Sequence, residues 1–138
     1  DRQGDHAASD QWYELAIEVF PQNILALNNY AYYLALRGAK LDRAVEMGAK
    51  VVELAPGEAN FEDTYAWALH RAGEHEEALT WIELAIYHEG DRPGATVLEH
   101  AGDILQALGR TAEARERWNA ALNAGGDRDR LTLKISGQ

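Results

Sequence analysis

Imidazoles and carboxylates at short spacing are the residues of this chain that could do chemistry, and His70, Glu99, His100 and Asp103 form their densest set. An imidazole nitrogen and a carboxylate oxygen can ligate zinc together or share a proton. His100 and Asp103 stand three apart and would face the same way on a helix, with His70 brought in by a neighbouring one. A hydrogen-bonded polar ladder uses the same residues at the same spacing, and it is the expected arrangement. His75 and His88 fall elsewhere, and His6 lies in the N-terminal tail. Nothing else supports catalysis. The chain has no Gly-rich phosphate loop, no Gly-x-Ser-x-Gly elbow and no His-Glu-x-x-His. With no cysteine it offers no thiolate nucleophile, no disulfide and no cysteine-rich zinc site. The sequence thus predicts no catalytic residue, no metal and no cofactor.

Composition sets the class of partner. The 138 residues suffice for one modest core, and 46% hydrophobic with 26% charged residues place the chain among globular proteins. Thirteen basic against 23 acidic side chains give a net charge of −10 and a pI near 4.8. Such a chain repels phosphate backbones and anionic headgroups, and no local basic patch offsets this, so neither nucleic acid nor membrane is an expected partner. No apolar run approaches the roughly 20 residues that span a bilayer, and the polar start Asp1 to Asp10 lacks the apolar stretch of a signal peptide.

The elements that must position these groups follow from an internal repeat. Gly38-Ala39-Lys40-Leu41-Asp42-Arg43-Ala44, Gly73-Glu74-His75-Glu76-Glu77-Ala78 and Gly109-Arg110-Thr111-Ala112-Glu113-Ala114 share one pattern, with glycines 35 and 36 residues apart. Ala16-Ile17, Val51-Val52, Ala85-Ile86 and Ala121-Leu122 recur at the same spacing, as do Phe20-Pro21-Gln22 and Ala55-Pro56-Gly57. Apolar residues such as Leu27, Tyr30, Ala31 and Leu34, or Leu98, Ala101, Gly102 and Leu105, keep helical spacing. Each glycine can end a helix in the left-handed conformation, and the short gap after it allows only a tight helical hairpin. The prediction is all-α: one half repeat at 8–19 and three full pairs at about 23–54, 58–88 and 94–124, with a possible capping helix at 127–135, in one array over 1–138. The charge-rich starts Asp42-Arg43, Glu74 to Glu77 and Glu113 to Arg117 read as solvated faces.

The period, the Gly-x-x-x-x-Ala segment and the Pro after the second helix resemble the tetratricopeptide repeat over about residues 10–124. Ala31, Ala66 and Gly102, with Ala44, Ala78, Ala114, Ala85 and Ala121, look like that family's small residues at close helix crossings. Four positions depart from its pattern: Lys40 is an extra residue, Gly48 replaces an aromatic, Glu62 a large apolar side chain and Gly90 a proline. Asn28-Asn29-Tyr30-Ala31-Tyr32, Asp63-Thr64-Tyr65-Ala66-Trp67 and Glu99-His100-Ala101-Gly102-Asp103 are similar to the C-terminal arrays of bacterial tetratricopeptide proteins, leaving cytoplasm and periplasm both open.

The resemblance implies antiparallel hairpins in a right-handed superhelix, a noncatalytic protein-interaction scaffold, and a peptide or partner helix bound in the concave groove lined by the first helices. The expected lining is Asn28, Tyr32 and Ala35, then Asp63, Trp67 and His70, then Glu99, Asp103 and Gln106, flanked by Asn29, Thr64, Arg71 and His100. Tyr32 and Trp67 would be the anchors, although packing between helices would use the same rings. The family's carboxylate clamp is not matched, because Asn28, Tyr32, Thr96 and His100 stand where it carries cations and an asparagine. With Asp63, Glu99 and Asp103 nearby, a terminal carboxylate would be repelled, so the expected ligand segment is neutral or basic. The alternative is a structural module whose main partner is a second copy of itself, through the N-terminal helix, or the rest of a longer chain. In helix 8–19, Tyr13, Ala16 and Phe20 should face helix 23–37, whereas Trp12, Leu15 and Val19 lose their cover unless Asp1 to Ala8 folds back.

Overall fold

The computed structural model describes residues 2–137, with side chains from His6 onward. Eight helices follow one another: α1 (Arg2–Val19), α2 (Ile24–Arg37), α3 (Leu41–Leu54), α4 (Ala59–Arg71), α5 (His75–Glu89), α6 (Ala95–Ala107), α7 (Thr111–Asn123) and α8 (Arg128–Ser136). They pack as sequential antiparallel pairs, α2 with α3, α4 with α5 and α6 with α7, and α2, α4 and α6 lie side by side. None of these helices is long and apolar enough to cross a membrane.

Local chemistry sets the ends. Asn23 accepts from the Ala26 N–H at 3.1 Å and starts α2. Gly38, at φ 73°, ends it by giving its own N–H to Leu34 and Ala35. The extra residue Lys40 is absorbed by turning left-handed, at φ 50°, a conformation that costs a side-chain-bearing residue. Its ammonium reaches Asp10 at 3.2 Å.

Packing explains two of the departures from the repeat pattern. Ala31, Ala66, Gly102, Ala44, Ala78, Ala114, Ala85 and Ala121 are all buried, and large side chains such as Leu27, Met47, Leu69, Ile82 and Ile104 fill the space between helices. Gly48 lies against Tyr65, so a methyl group there would stand 2.9 Å from Cδ1 and 3.1 Å from Cα of that residue. The tyrosine of the next helix thus fills the volume an aromatic at 48 would take. Because backbone cannot swing aside, Gly48→Ala should lose about 1–2 kcal/mol despite better helix propensity, measured as a lowered denaturation midpoint at unchanged m-value. Glu62 is 2% exposed and accepts from His88 Nδ1 at 2.7 and 3.0 Å, which satisfies a carboxylate where an apolar side chain is usual.

The N-terminal end of the stack differs from expectation, whereas the C-terminal end carries a helix where one is expected. Helix α1 begins at Arg2 instead of residue 8, running on along α2, where His6 bonds Tyr33, Tyr13 stacks on Tyr30 at 4.9 Å and Arg37 forks onto Asp10 at 3.0 and 3.2 Å. The segment before residue 8 therefore extends the helix and does not fold back over it. Phe20, expected against α2, is 66% exposed, because the chain turns at Pro21 before its ring can reach that helix. At the other end α8 packs on α7 and buries Leu131 completely.

Candidate functional site

The first helices α2, α4 and α6 present one face between them, and its centre is aromatic. Trp67, half-buried on α4, stacks on the His100 ring of α6 with centroids 4.1 Å apart and planes 20° apart. His100 Nδ1–H donates to Asp63 Oδ1 at 2.7 Å, so its tautomer and ring plane are fixed by a carboxylate one turn before the tryptophan. Tyr32 of α2 is half-buried beside them, and burial first, then the Asp63 charge, raises its phenol above the ordinary value. His70 lies 4.9 Å from the Trp67 ring and shares an Nδ1 to Nδ1 hydrogen bond of 3.0 Å with His75. Burial, followed by the neighbouring His75, Arg71 and His100, holds His70 down at about 4, which makes it neutral at pH 7. Tyr32, Asp63, Trp67, His70 and His100 thus form one cluster, in which His100 is buried and the other four are partly exposed.

The other expected lining residues are placed differently. Asn28 and Ala35 are buried, and Asn28 Oδ1 has no hydrogen-bond partner among the described residues. The open stripe of α2 is rotated by one residue to Leu25, Asn29, Tyr32 and Leu36, because the Asn28 and Ala35 side of the helix is covered. Thr64 is buried and donates to the Asn60 carbonyl at 3.2 Å. Arg71 Nε donates to the Ala35 carbonyl at 3.0 Å, closing the end of α2. Gln106 is exposed at the end of α6.

Glu99 and Asp103 belong to a different constellation. Arg130 of α8 forks onto Glu99 with two bonds of 2.7 Å, and Lys134 donates to Glu99 at 2.7 Å and to Asp103 at 2.9 and 3.0 Å. Asp103 also accepts from the Trp118 indole N–H at 3.0 Å. The Arg130 hydrogen bonds foremost hold Glu99 down at about 2. Two of the three expected acids are therefore spent on the chain's own cations. Sequence reasoning missed Leu25 and Leu36, as well as Arg130 and Lys134, although each pair sits at helical spacing.

No group of three or more His, Cys, Asp or Glu side chains among the described residues is arranged to hold a metal ion. The imidazoles and carboxylates pair in twos: Asp63 with His100, Glu62 with His88, His70 with His75.

No family model matches the chain, and no curated protein matches it in sequence. Solved structures do resemble it. The first TPR of Spaghetti (RPAP3), bound to the HSP90 peptide SRMEEVD, is 20% identical over 84% of this chain and 90% of that one, with a TM-score of 0.73. MamA is 17% identical over 98% of this chain and 79% of its own, with a TM-score of 0.78. YrrB, a TPR protein with an unusual peptide-binding site, is 18% identical over 89% of this chain and 62% of its own, with a TM-score of 0.70. The repeat period, the antiparallel pairs and these likenesses agree that the chain has the tetratricopeptide-repeat fold.

Proposed function

We propose that the chain is a noncatalytic protein-interaction scaffold, its eight helices acting as one array, and that the face of Tyr32, Asp63, Trp67, His70 and His100 binds an extended polypeptide segment. The observation that carries this reading is the Trp67 to His100 stack, locked from behind by Asp63. A flat ring held in place loses little entropy on binding, so it suits a peptide side chain or a proline laid across it. Asn29 on one side supplies an exposed amide that can bond to peptide backbone. Peptide binding by the Spaghetti and YrrB domains supports the class of activity.

The favoured ligand is neutral or basic, because Asp63 is the carboxylate at the centre of the patch and the chain carries a net charge of −10. With Glu99 and Asp103 already paired, rings contribute more than charge. The test is titration with a peptide selected from a displayed library, with matched versions carrying acidic or basic ends, at two salt concentrations. Trp67→Ala should weaken binding at least about tenfold while circular dichroism stays unchanged. Unaltered affinity, or tighter binding of the acidic version, would overturn the reading.

A further inference from the structure

The face of α1 that looks away from α2 carries Trp12, Leu15 and Val19 at 63, 60 and 59% exposure, and Phe20 continues it at 66%. Spacing of three and then four residues puts the first three on one stripe. Together with Ala16 and Asn23 they line a concavity running to the start of α2. Helix α2 adds Leu25 and Leu36, 66 and 55% exposed. These lie toward a vacant helix position. One repeat further on, the equivalents of Asn29 and Leu36 are Thr64, which is buried, and Arg71, which touches α2; the next equivalent of Asn29 is His100, which touches α4. Those positions face the preceding first helix. Among the described residues no helix lies there for α2, whereas α8 covers the opposite end of the stack.

We propose that this slot is filled by α1 of a second copy, so that two chains pair reciprocally through their N-terminal faces. Three observations converge on that occupant. In every pair of this fold the first helix runs antiparallel to the second, and two α1 helices related by a twofold axis across them are antiparallel too. The six apolar side chains expose on the order of 800 Å² per copy, so the pair would bury up to about 1,600 Å², the size of a standard stable interface. Of the acids on α1 after His6, Asp10 is paired with Arg37 and Lys40 and Glu14 with Arg43, so that Glu18 at the edge of the stripe is the exposed charge flanking an otherwise apolar contact. Because each copy carries a net charge of −10, salt should tighten this association, the reverse of its effect on a charge-led ligand.

Sedimentation velocity over a range of concentrations tests the pairing. A dimer in the micromolar range is expected, tighter at high salt, with Trp12→Glu plus Val19→Glu raising its dissociation constant at least about a hundredfold and leaving circular dichroism unchanged. The chain has no cysteine, so a single Leu15→Cys reports geometry cleanly: it should oxidise to a covalent dimer much faster than Leu133→Cys on α8. A monomer at high micromolar concentration, loss of the dimer when upstream residues of a longer chain are present and take the slot, a double variant that dimerises as tightly as the parent, or equal cross-linking at 15 and 133 would overturn the proposal. Because Asn29 borders both the slot and the Trp67 patch, peptide binding at Trp67 is read on the Trp12→Glu plus Val19→Glu variant, in which the slot stays open.

Discussion

Trp118→Ala should cost about 3–5 kcal/mol of folding stability, the largest effect expected of any single truncation in this chain. The indole is 5% exposed, covers the backbone of α6 at Gly102 and donates its N–H to Asp103 at 3.0 Å. Removing it leaves a cavity between α6 and α7 and strips one partner from a half-buried carboxylate. The converse change is also costly. A methyl group at Gly102 would stand 2.3 Å from Cδ1 and Nε1 of Trp118, so the ring must move and its bond to Asp103 must lengthen. We expect Gly102→Ala to lose about 2–3 kcal/mol although alanine favours a helix interior by about 1 kcal/mol. The pair gives a sharp control. In a Trp118→Ala background the clash is gone, and Gly102→Ala should become neutral or stabilising. Chemical denaturation of the four proteins reads this directly. A Gly102→Ala cost that persists without the indole would show that the glycine serves some other need.

The same two residues show why one layer of this molecule is legible in its sequence. A glycine every repeat, alanines at the crossings and leucines at helical spacing act within a few residues of each other, so an all-helical chain of sequential antiparallel pairs is legible in the pattern. The early start of α1 was not legible. Arg2 to Ala8 has no apolar period, and what holds it is contact with residues 27 positions away, His6 with Tyr33 and Asp10 with Arg37. The site divides in the same way. Tyr32, Asp63, Trp67, His70 and His100 meet because equivalent faces of successive first helices meet. Which side of α2 stays open depends on how α4 lies against it, and that rotates the stripe from Asn28 to Leu25, Asn29 and Leu36. The fate of Glu99 and Asp103 depended on a match between distant segments: acids four apart on α6 against bases four apart on α8, at Arg130 and Lys134.

That match leads to the second large effect, on the C-terminal end of the stack. Glu99 is 7% exposed and is held by two cations, so Glu99→Ala should cost about 3 kcal/mol, since it leaves Lys134 half-served and Arg130 without its fork. Glu99→Gln keeps the shape and loses only the charge. Its penalty is smaller, about 1–2 kcal/mol after allowing for the solvent that reaches Arg130. The pH dependence identifies the charge as the cause. Folding lowers Glu99 from 4.5 to about 2, chiefly through Arg130. A carboxyl whose folded value is depressed contributes its full stability above the unfolded value and loses it as pH falls through the folded one. The difference between the parent and Glu99→Gln should therefore be constant from pH 7 to about 5, shrink below 4.5 and vanish near 2. Amide exchange in α8 should follow the same course, because Leu131 is the one fully buried side chain of that helix and the ion cluster adds to what it, the half-buried Ile135 and the Arg115 bond to the Ile135 carbonyl supply. A stability difference that does not change with pH would mean that α8 is fixed by Leu131, Ile135 and the Arg115 bond, and that the matched charges only decorate the junction. If the difference does collapse in acid, α8 depends on those charges to stay seated against α6.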